Sequence, residues 1–296
     1  MRKTYKILFF LLILFFPLNI KAADRVHFTN IYEFGTPGGS GSSSGEATLV
    51  ESNGHYGLVD TGNPHNSSDP YYQTQLNGKT IAAYLKANGC THLDFVLVTH
   101  AHSDHVGGIP YLYSAGYINN KTTFIYKEFQ SDNTTEGSSW NTKKYFNNAK
   151  STMQSTGAKM LEVSTKTGLS SLNAKYTNNG GKATDYIEFS FQNFNIKIFN
   201  LYYAAKNESE NHNSLVVLIS KDSQKILLKS ELGIPVSGSD TSREQNIASY
   251  IGKVQLARVG HYTSKYLSLH FLFFSFTLLV LLNSMTLIFI IFIGFW

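Results

Sequence analysis

The chain of 296 residues contains a single cysteine, Cys90. Without a second cysteine there can be no internal disulfide, and a metal site built on several thiolates is excluded because no other sulfur ligand can share the ion. Cys90 lies in KANGCTHLDFVLV, between an expected helix and an expected strand. That setting suits a small packed side chain, with a reactive thiol as the alternative. An excess of either charge is also missing once the N-terminus is set aside. The chain has 25 Lys and Arg against 20 Asp and Glu, but Arg2, Lys3, Lys6 and Lys21 all precede Ala22. Cleavage there would leave a nearly neutral remainder, so bulk electrostatic attraction to nucleic acid does not follow from the basic pI. No internal repeat is evident. The stretch GGSGSSSG, Gly38 to Gly45, has no lysine and no strand–loop–helix context. It therefore reads as a flexible loop and not as a nucleotide cradle.

Long apolar runs occur at both ends. Residues 7–19, ILFFLLILFFPLN, follow Arg2, Lys3 and Lys6 and precede the small residues Ala22 and Ala23. Positive, apolar, then small is the order of a secretory signal peptide, with an N-terminal membrane anchor as the alternative. Residues 271–296 carry no charge and are rich in Phe, Leu and Ile. The run is long enough to cross a bilayer and is apolar all round, so a membrane anchor is expected. A glycosylphosphatidylinositol signal fits less well because the polar spacer before it is poor. A changed reading frame would also produce such a tail. The expected organisation is a signal peptide over 1–22, one domain over 26–266 and the hydrophobic tail over 271–296.

Between the runs, strand and helix signals alternate. GEATLVESNGHYGLVDTG (45–62) reads as two strands joined by Ser52-Asn53-Gly54, a strong hairpin signal. TIAAYLKANG (80–89) spaces Ile81, Tyr84 and Leu85 as a helix does, with Gly89 suited to its end. LDFVLVTH (93–100) is a short strand of the type buried on both faces. VGGIPYLYSAG (106–116) predicts one helix, and the polar residues 129–185 predict a helix around 140–156 with long loops. IEFSFQNFNIKIFNLY (187–202) alternates as strands do. SLVVLIS (214–220) and KILLKS (225–230) add two more, turned at Lys221-Asp222-Ser223. Two groups of strands with helices between them predict a layered α/β domain.

The chemistry concentrates in LVTHAHSDHVGG (97–108). His100 and His102 follow a strand and stand two apart, so in extended chain they point the same way. Asp104 and His105 open the next helix and can face the same pocket. Imidazole nitrogen and carboxylate oxygen are ligands that divalent zinc accepts. Four such groups crowd one ion but can divide between two. Gly107 and Gly108 would let the following helix approach closely. A chance cluster of polar loop residues is the bland alternative.

THAHSDHVGG resembles the signature of the metallo-β-lactamase superfamily, and several flanks agree in order. ATLVESNGHYGLVDTG, ending near Asp60, resembles the family's first hairpin, and NHNSLVVLI and KILLKSELG resemble the strands around the bridging ligand. VGHYTSKY resembles the last histidine loop. Within the superfamily these flanks look most like exported hydrolases related to the competence DNA-uptake domain and the phosphorylcholine esterases. The resemblance implies an αββα four-layer sandwich with two divalent metal ions, zinc being expected, at one edge of the sheets. It implies that His100 and His102 hold one ion, that Asp104, His105 and His261 hold the other, and that Asp60 orients the ligand loop from behind. A metal-bridged hydroxide would attack phosphorus or carbonyl carbon, with Asp104 orienting it. The expected substrate is a small-molecule or polymer ester, of phosphodiester or phosphocholine type. Nucleic acid stays open as a partner, and the tail would supply contact with a membrane.

Several features depart from the family pattern. Glu231 stands where the bridging ligand is normally aspartate, and Ser230 replaces a glycine. Glu231 is therefore a candidate ligand, or else a surface glutamate at a strand end beside Lys229. Tyr262 and Thr263 replace a histidine and a glycine after His261. No histidine lies between His105 and His212, so His212 is the candidate third ligand of the first ion, or else a solvated loop histidine. His65 could touch substrate, with a plain loop role as the alternative. The family's last helix and strand have no obvious room before the tail, so the sandwich could lack them. Two function classes stay open: a binuclear hydrolase, and a degenerate surface protein that keeps the fold. A β-lactamase-like amide hydrolase is a minor third reading, because fold alone does not set the substrate.

Overall fold

The computed structural model describes residues 24–28, 45–65, 76–130, 141–232 and 242–258. The expected signal peptide, most of the Gly/Ser-rich loop, His261, Tyr262 and the hydrophobic run at residues 271–296 lie outside the described residues. So does any family-type helix and strand after His261. No helix among the described residues is long and apolar enough to cross a membrane.

The described strands form two six-stranded sheets. In the first, β1 (Arg25–Phe28), β2 (Thr48–Ser52), β3 (His55–Val59), β4 (Phe95–Leu97), β5 (Thr123–Tyr126) and β6 (Lys159–Glu162) lie in chain order. β1, β2 and β3 pair antiparallel, and β3 through β6 run parallel. The parallel stretch needs crossovers. Helices α1 (Gly78–Ala87), α2 (Ser103–Val106), α3 (Ile109–Ser114) and α4 (Thr142–Ser155) lie on them. The second sheet runs β7 (Lys175–Thr177), β8 (Tyr186–Phe191), β9 (Phe194–Phe199), β10 (Val216–Lys221), β11 (Gln224–Leu228) and β12 (Leu256–Arg258). Helix α5 (Ser242–Ile251) connects β11 to β12, which pairs parallel with it.

The layering follows from the period of two along each strand. Tyr56, Leu58 and Val96 face a cluster with Ile81, Leu85, Leu112, Phe146 and Met153 of the helices. The alternate residues Val59, Phe95 and Leu97 meet Ile187, Phe189, Ile196 and Val217 of the second sheet. On that sheet's other face, Phe199, Val216, Leu218 and Leu227 pack on Ile247, Ala248 and Ile251 of α5. The result is the expected αββα order, helices outside and two sheets face to face.

Local chemistry explains the elements. The β2–β3 hairpin pairs Ser52 with His55, and Asn53 and Gly54 take φ of 52° and 77°, as a two-residue turn of this twist requires. α1 begins two residues before Thr80, because the Asn77 side chain accepts from the Lys79 and Thr80 amides while Thr80 Oγ1 accepts from the Asn77 amide. The expected single helix over 106–116 is instead two, α2 and α3, divided at Gly107-Gly108. The Asp104 carbonyl accepts from the Glu46 amide at 3.0 Å, and the Gly108 amide donates to Gly62 O at 3.1 Å. The two groups that would form the bond continuing one helix are thus taken by the segment before β2 and by the loop after β3. A Cβ on Gly108 would lie 1.9 Å from the Thr61 carbonyl oxygen, so the close approach expected of these glycines is made by that loop. The expected helix near 140–156 is α4, but residues 129–185 hold more than loops. β6 and β7 are short strands at the sheet ends, where a polar outer side hides the strand pattern.

Candidate metal centre

Three strand ends build the site. β3 and β4 are parallel neighbours, so the loops leaving their C-terminal ends, Asp60 and Thr99–His105, emerge side by side. β11 of the second sheet contributes Lys229, Ser230 and Glu231. The Leu215 amide, entering β10, donates to the Thr99 carbonyl at 2.8 Å and joins the two sheets there. The loop after β3 is fastened to the histidine loop: the Asp60 amide donates to Leu97 O at 2.8 Å and the Thr61 amide to His105 O at 2.7 Å.

The expected cluster comes together. Ligand-type atoms of His100, His105 and Glu231 lie within 4.8 Å of one another, and all three residues are buried. His100 Nε2 and His102 Nδ1 are 3.0 Å apart. Glu231 Oε2 is 3.4 Å from His100 Nε2 and 4.0 Å from His102 Nδ1. Its Oε1 is 3.9 Å from His105 Nε2, which is also 3.9 Å from the Asp104 carboxylate. The Glu231 side chain is only 1% exposed. The reading of it as a surface glutamate is therefore overturned, and Lys229 pairs with Glu244 of α5 at 3.3 Å.

Asp60 lies beside the cluster, with φ of 61°. His105 Nδ1 donates to Asp60 Oδ2 at 2.9 Å, which presents Nε2 to Glu231 and Asp104. The Thr99 amide donates to Asp60 Oδ1 at 2.8 Å and the Thr99 hydroxyl to Oδ2 at 2.8 Å. Burial, with His105 nearby, pushes His100 down to about 4. Its imidazole is therefore neutral and has a lone pair to offer. Burial also acts to lower His105, but Asp60 and Asp104 outweigh it and hold this imidazole well above its ordinary value. Positive charge is favoured at the His105–Asp104–Glu231 side, and a divalent cation would meet the same field. The neutral His100 imidazole on one side of the Glu231 carboxylate and the Asp104 carboxylate on the other are donors that suit a divalent ion in type and charge.

His212 stands outside the His100–His105–Glu231 group. It is buried in a 3₁₀ turn, Glu210–Asn213, with Nδ1 2.8 Å from the Glu208 carboxylate, so it is not a solvated loop histidine. His65 packs edge-on against Tyr111 at 4.9 Å. Sequence reasoning missed Glu46, whose carboxylate forms a second close group with Asp60 and His105. Arg258 also approaches it, at 3.8 Å. It missed Thr99 as well, whose hydroxyl lies between Asp60 and Ser230. A threonine directly before the first histidine was the only available signal.

Residues 41–121 match the model of the metallo-beta-lactamase superfamily. No curated protein matches the chain. Among solved structures, a metallo-beta-lactamase-like protein of Thermotoga maritima is similar at 14% identity, over 80% of this chain and 95% of that one, with a TM-score of 0.43. The metallo-beta-lactamase fold protein YhfI of Bacillus subtilis is similar at 13% identity, over 79% and 69%, with a TM-score of 0.39. The metallo beta lactamase of Hirschia baltica is similar at 15% identity, over 79% and 83%, with a TM-score of 0.37. The matched segment contains Asp60 and the whole His100–His105 cluster, and with the two-sheet architecture this match supports membership of the metallo-beta-lactamase superfamily.

Proposed function

We propose that the chain is an exported, binuclear, metal-dependent hydrolase of phosphodiester or phosphocholine-type esters. The observation that carries the reading is the two-sided placement of Glu231. One carboxylate oxygen faces His100 and His102, and the other faces His105. His100 and His102, with His212 as the remaining candidate, would hold one ion, and Asp104, His105 and His261 the other. When bound, two divalent ions, expected to be zinc, supply Lewis-acid polarisation of the ester and acidify water.

The chain's own groups have separable tasks. Asp60 keeps the proton of His105 on Nδ1 and fixes the ring. Asp104 is 13% exposed, against 3% for Asp60 and 1% for Glu231. It is thus the carboxylate of the cluster that incoming water can reach, which suits it to orient the nucleophile and accept a proton. Low exposure of the imidazoles strengthens their electrostatic action on developing charge. The ester class rests on the flanks that resemble the competence-related and phosphorylcholine-esterase branch. Export rests on the charge–apolar–small order of residues 1–23.

The test combines elemental analysis of the purified protein with turnover of bis-p-nitrophenyl phosphate. About two divalent ions per chain are expected. His102→Ala and Asp104→Ala should each lower turnover by on the order of 100-fold or more, the scale of losing one preorganised electrostatic group. A metal-free protein after metal-replete expression would sink the reading. Metal without turnover of this ester would reject the ester class and leave the binuclear site. A mutant near wild-type activity would remove that residue's role.

A further inference from the structure

Ser230 is buried and has a left-handed backbone, φ 54°, a region that residues with a Cβ rarely enter. Glycine would sit there without strain, so the serine must contribute something glycine lacks. Its hydroxyl is 2.8 Å from Thr99 Oγ1. The direction of that bond follows from counting protons. Asp60 can only accept, and Thr99 Oγ1 lies 2.8 and 3.0 Å from its two oxygens. Thr99 therefore gives its one hydroxyl proton to Asp60, and Ser230 donates to Thr99. The chain of bonds runs from Ser230 through Thr99 to Asp60, where His105 Nδ1 also donates.

This chain crosses between the sheets. Ser230 follows β11 of the second sheet and directly precedes Glu231, whereas Asp60, Thr99 and His105 follow strands of the first. Thr99 also accepts from the Leu215 amide through its carbonyl, so it is held from both sides of the junction. Glutamate has one more side-chain torsion than the aspartate usual at position 231, so its carboxylate needs a firmer base. We propose that Ser230 is a positioning residue: its hydroxyl sets the strand end carrying Glu231 against the Asp60–His105 pair, and divalent-metal affinity depends on it. The inference rests on the metallohydrolase reading above.

The experiment uses the full chain. Zinc affinity is measured by competition with a chromophoric chelator, and the visible spectrum of the cobalt-loaded protein reports ligand geometry. Thermal unfolding is followed in the metal-free protein. Ser230→Ala should weaken zinc binding by about 10-fold and shift the cobalt spectrum, as loss of an outer partner does. Ser230→Gly relieves the backbone strain, so it should unfold later than Ser230→Ala yet bind zinc as weakly. That split separates positioning from a merely structural role. Thr99→Val should weaken binding by at least as much, and the double variant Ser230→Ala/Thr99→Val no further, because the serine acts through the threonine. Wild-type zinc affinity in Ser230→Gly, or additive losses in the double variant, would overturn the inference while leaving the metal site standing. A wild-type chain that binds no zinc would overturn the metallohydrolase reading and this inference with it.

Discussion

Replacing Lys127 by methionine tests how the segment that carries His212 is held. Lys127 follows β5 and is buried at 3% exposure. Its Nζ donates to the carbonyls of Asn200 at 2.6 Å, Asn213 at 2.8 Å and Tyr202 at 3.3 Å. All three belong to the connection between β9 and β10. Methionine keeps most of the stem but has no donor. Tyr202 O retains a bond from Arg243 at 3.1 Å, so two buried carbonyls lose the donor that Lys127 provides. At about 1–3 kcal/mol each, partly offset because no amine is then buried, the net loss should be about 2–4 kcal/mol. That corresponds to a fall in Tm of roughly 5–15 °C for a domain of this size. Burial pushes Lys127 down to about 7, with Arg243 acting the same way and Glu210 and Glu162 opposing. A neutral amine has two N–H groups, enough for the two shorter bonds. Because the folded pKa lies below the unfolded value of 10.5, the unfolded chain binds more protons between about 7 and 10.5. Stability from this group therefore rises with pH across that window. The variant lacks this term, so its deficit against wild type should widen by about 2 kcal/mol between pH 7 and pH 9. Thermal unfolding by circular dichroism at both pH values is the assay. A variant within about 1 kcal/mol of wild type would refute the clamp, and a deficit that narrows with rising pH would refute the depressed pKa.

Other outcomes follow from the same structure. Gly108→Ala places a Cβ 1.9 Å from the Thr61 carbonyl. It should cost more than about 3 kcal/mol, the scale of backbone strain and overpacking, and lower soluble yield; unfolding near the wild-type midpoint would contradict the packing described. Cys90 is buried, and burial pushes its thiol up to about 12. Iodoacetamide should therefore label it at pH 8 only after denaturant is added, as mass spectrometry would show. Residues 271–296 are expected to hold the chain to a membrane; the full chain should fractionate with membranes and a chain stopped after Tyr266 should not. Free solubility of the full chain outside the cell would discard the anchor.

How far the site could be read from the chain depends on sequence distance. The His100–His105 cluster spans six positions after a buried strand, so local geometry alone brings its members near one another. The β2–β3 hairpin was legible for the same reason, since Asn53-Gly54 carries its own backbone preference. The division of α2 from α3 was not legible, because it depends on the loop after β3 lying against Gly107 and Gly108. β6 and β7 were hidden because each is short and bordered on one side only.

The sequence by itself determined the donor inventory: one cysteine, so no site of several thiolates, and imidazoles and carboxylates in an order that can serve a metal ion. It also set the alternation that makes each strand two-faced, from which the four layers follow. Only the tertiary structure decided that Glu231 is a buried member of the cluster and that Lys229 is paired elsewhere. Glu231 is more than a hundred residues from His105, and nothing local distinguishes it from any glutamate at a strand end. Its burial comes from the packing of one sheet on the other, which seats the end of β11 over the loop after β4. The same packing brings the Ser230 hydroxyl to Thr99, a contact between residues whose neighbours in sequence give no sign of it.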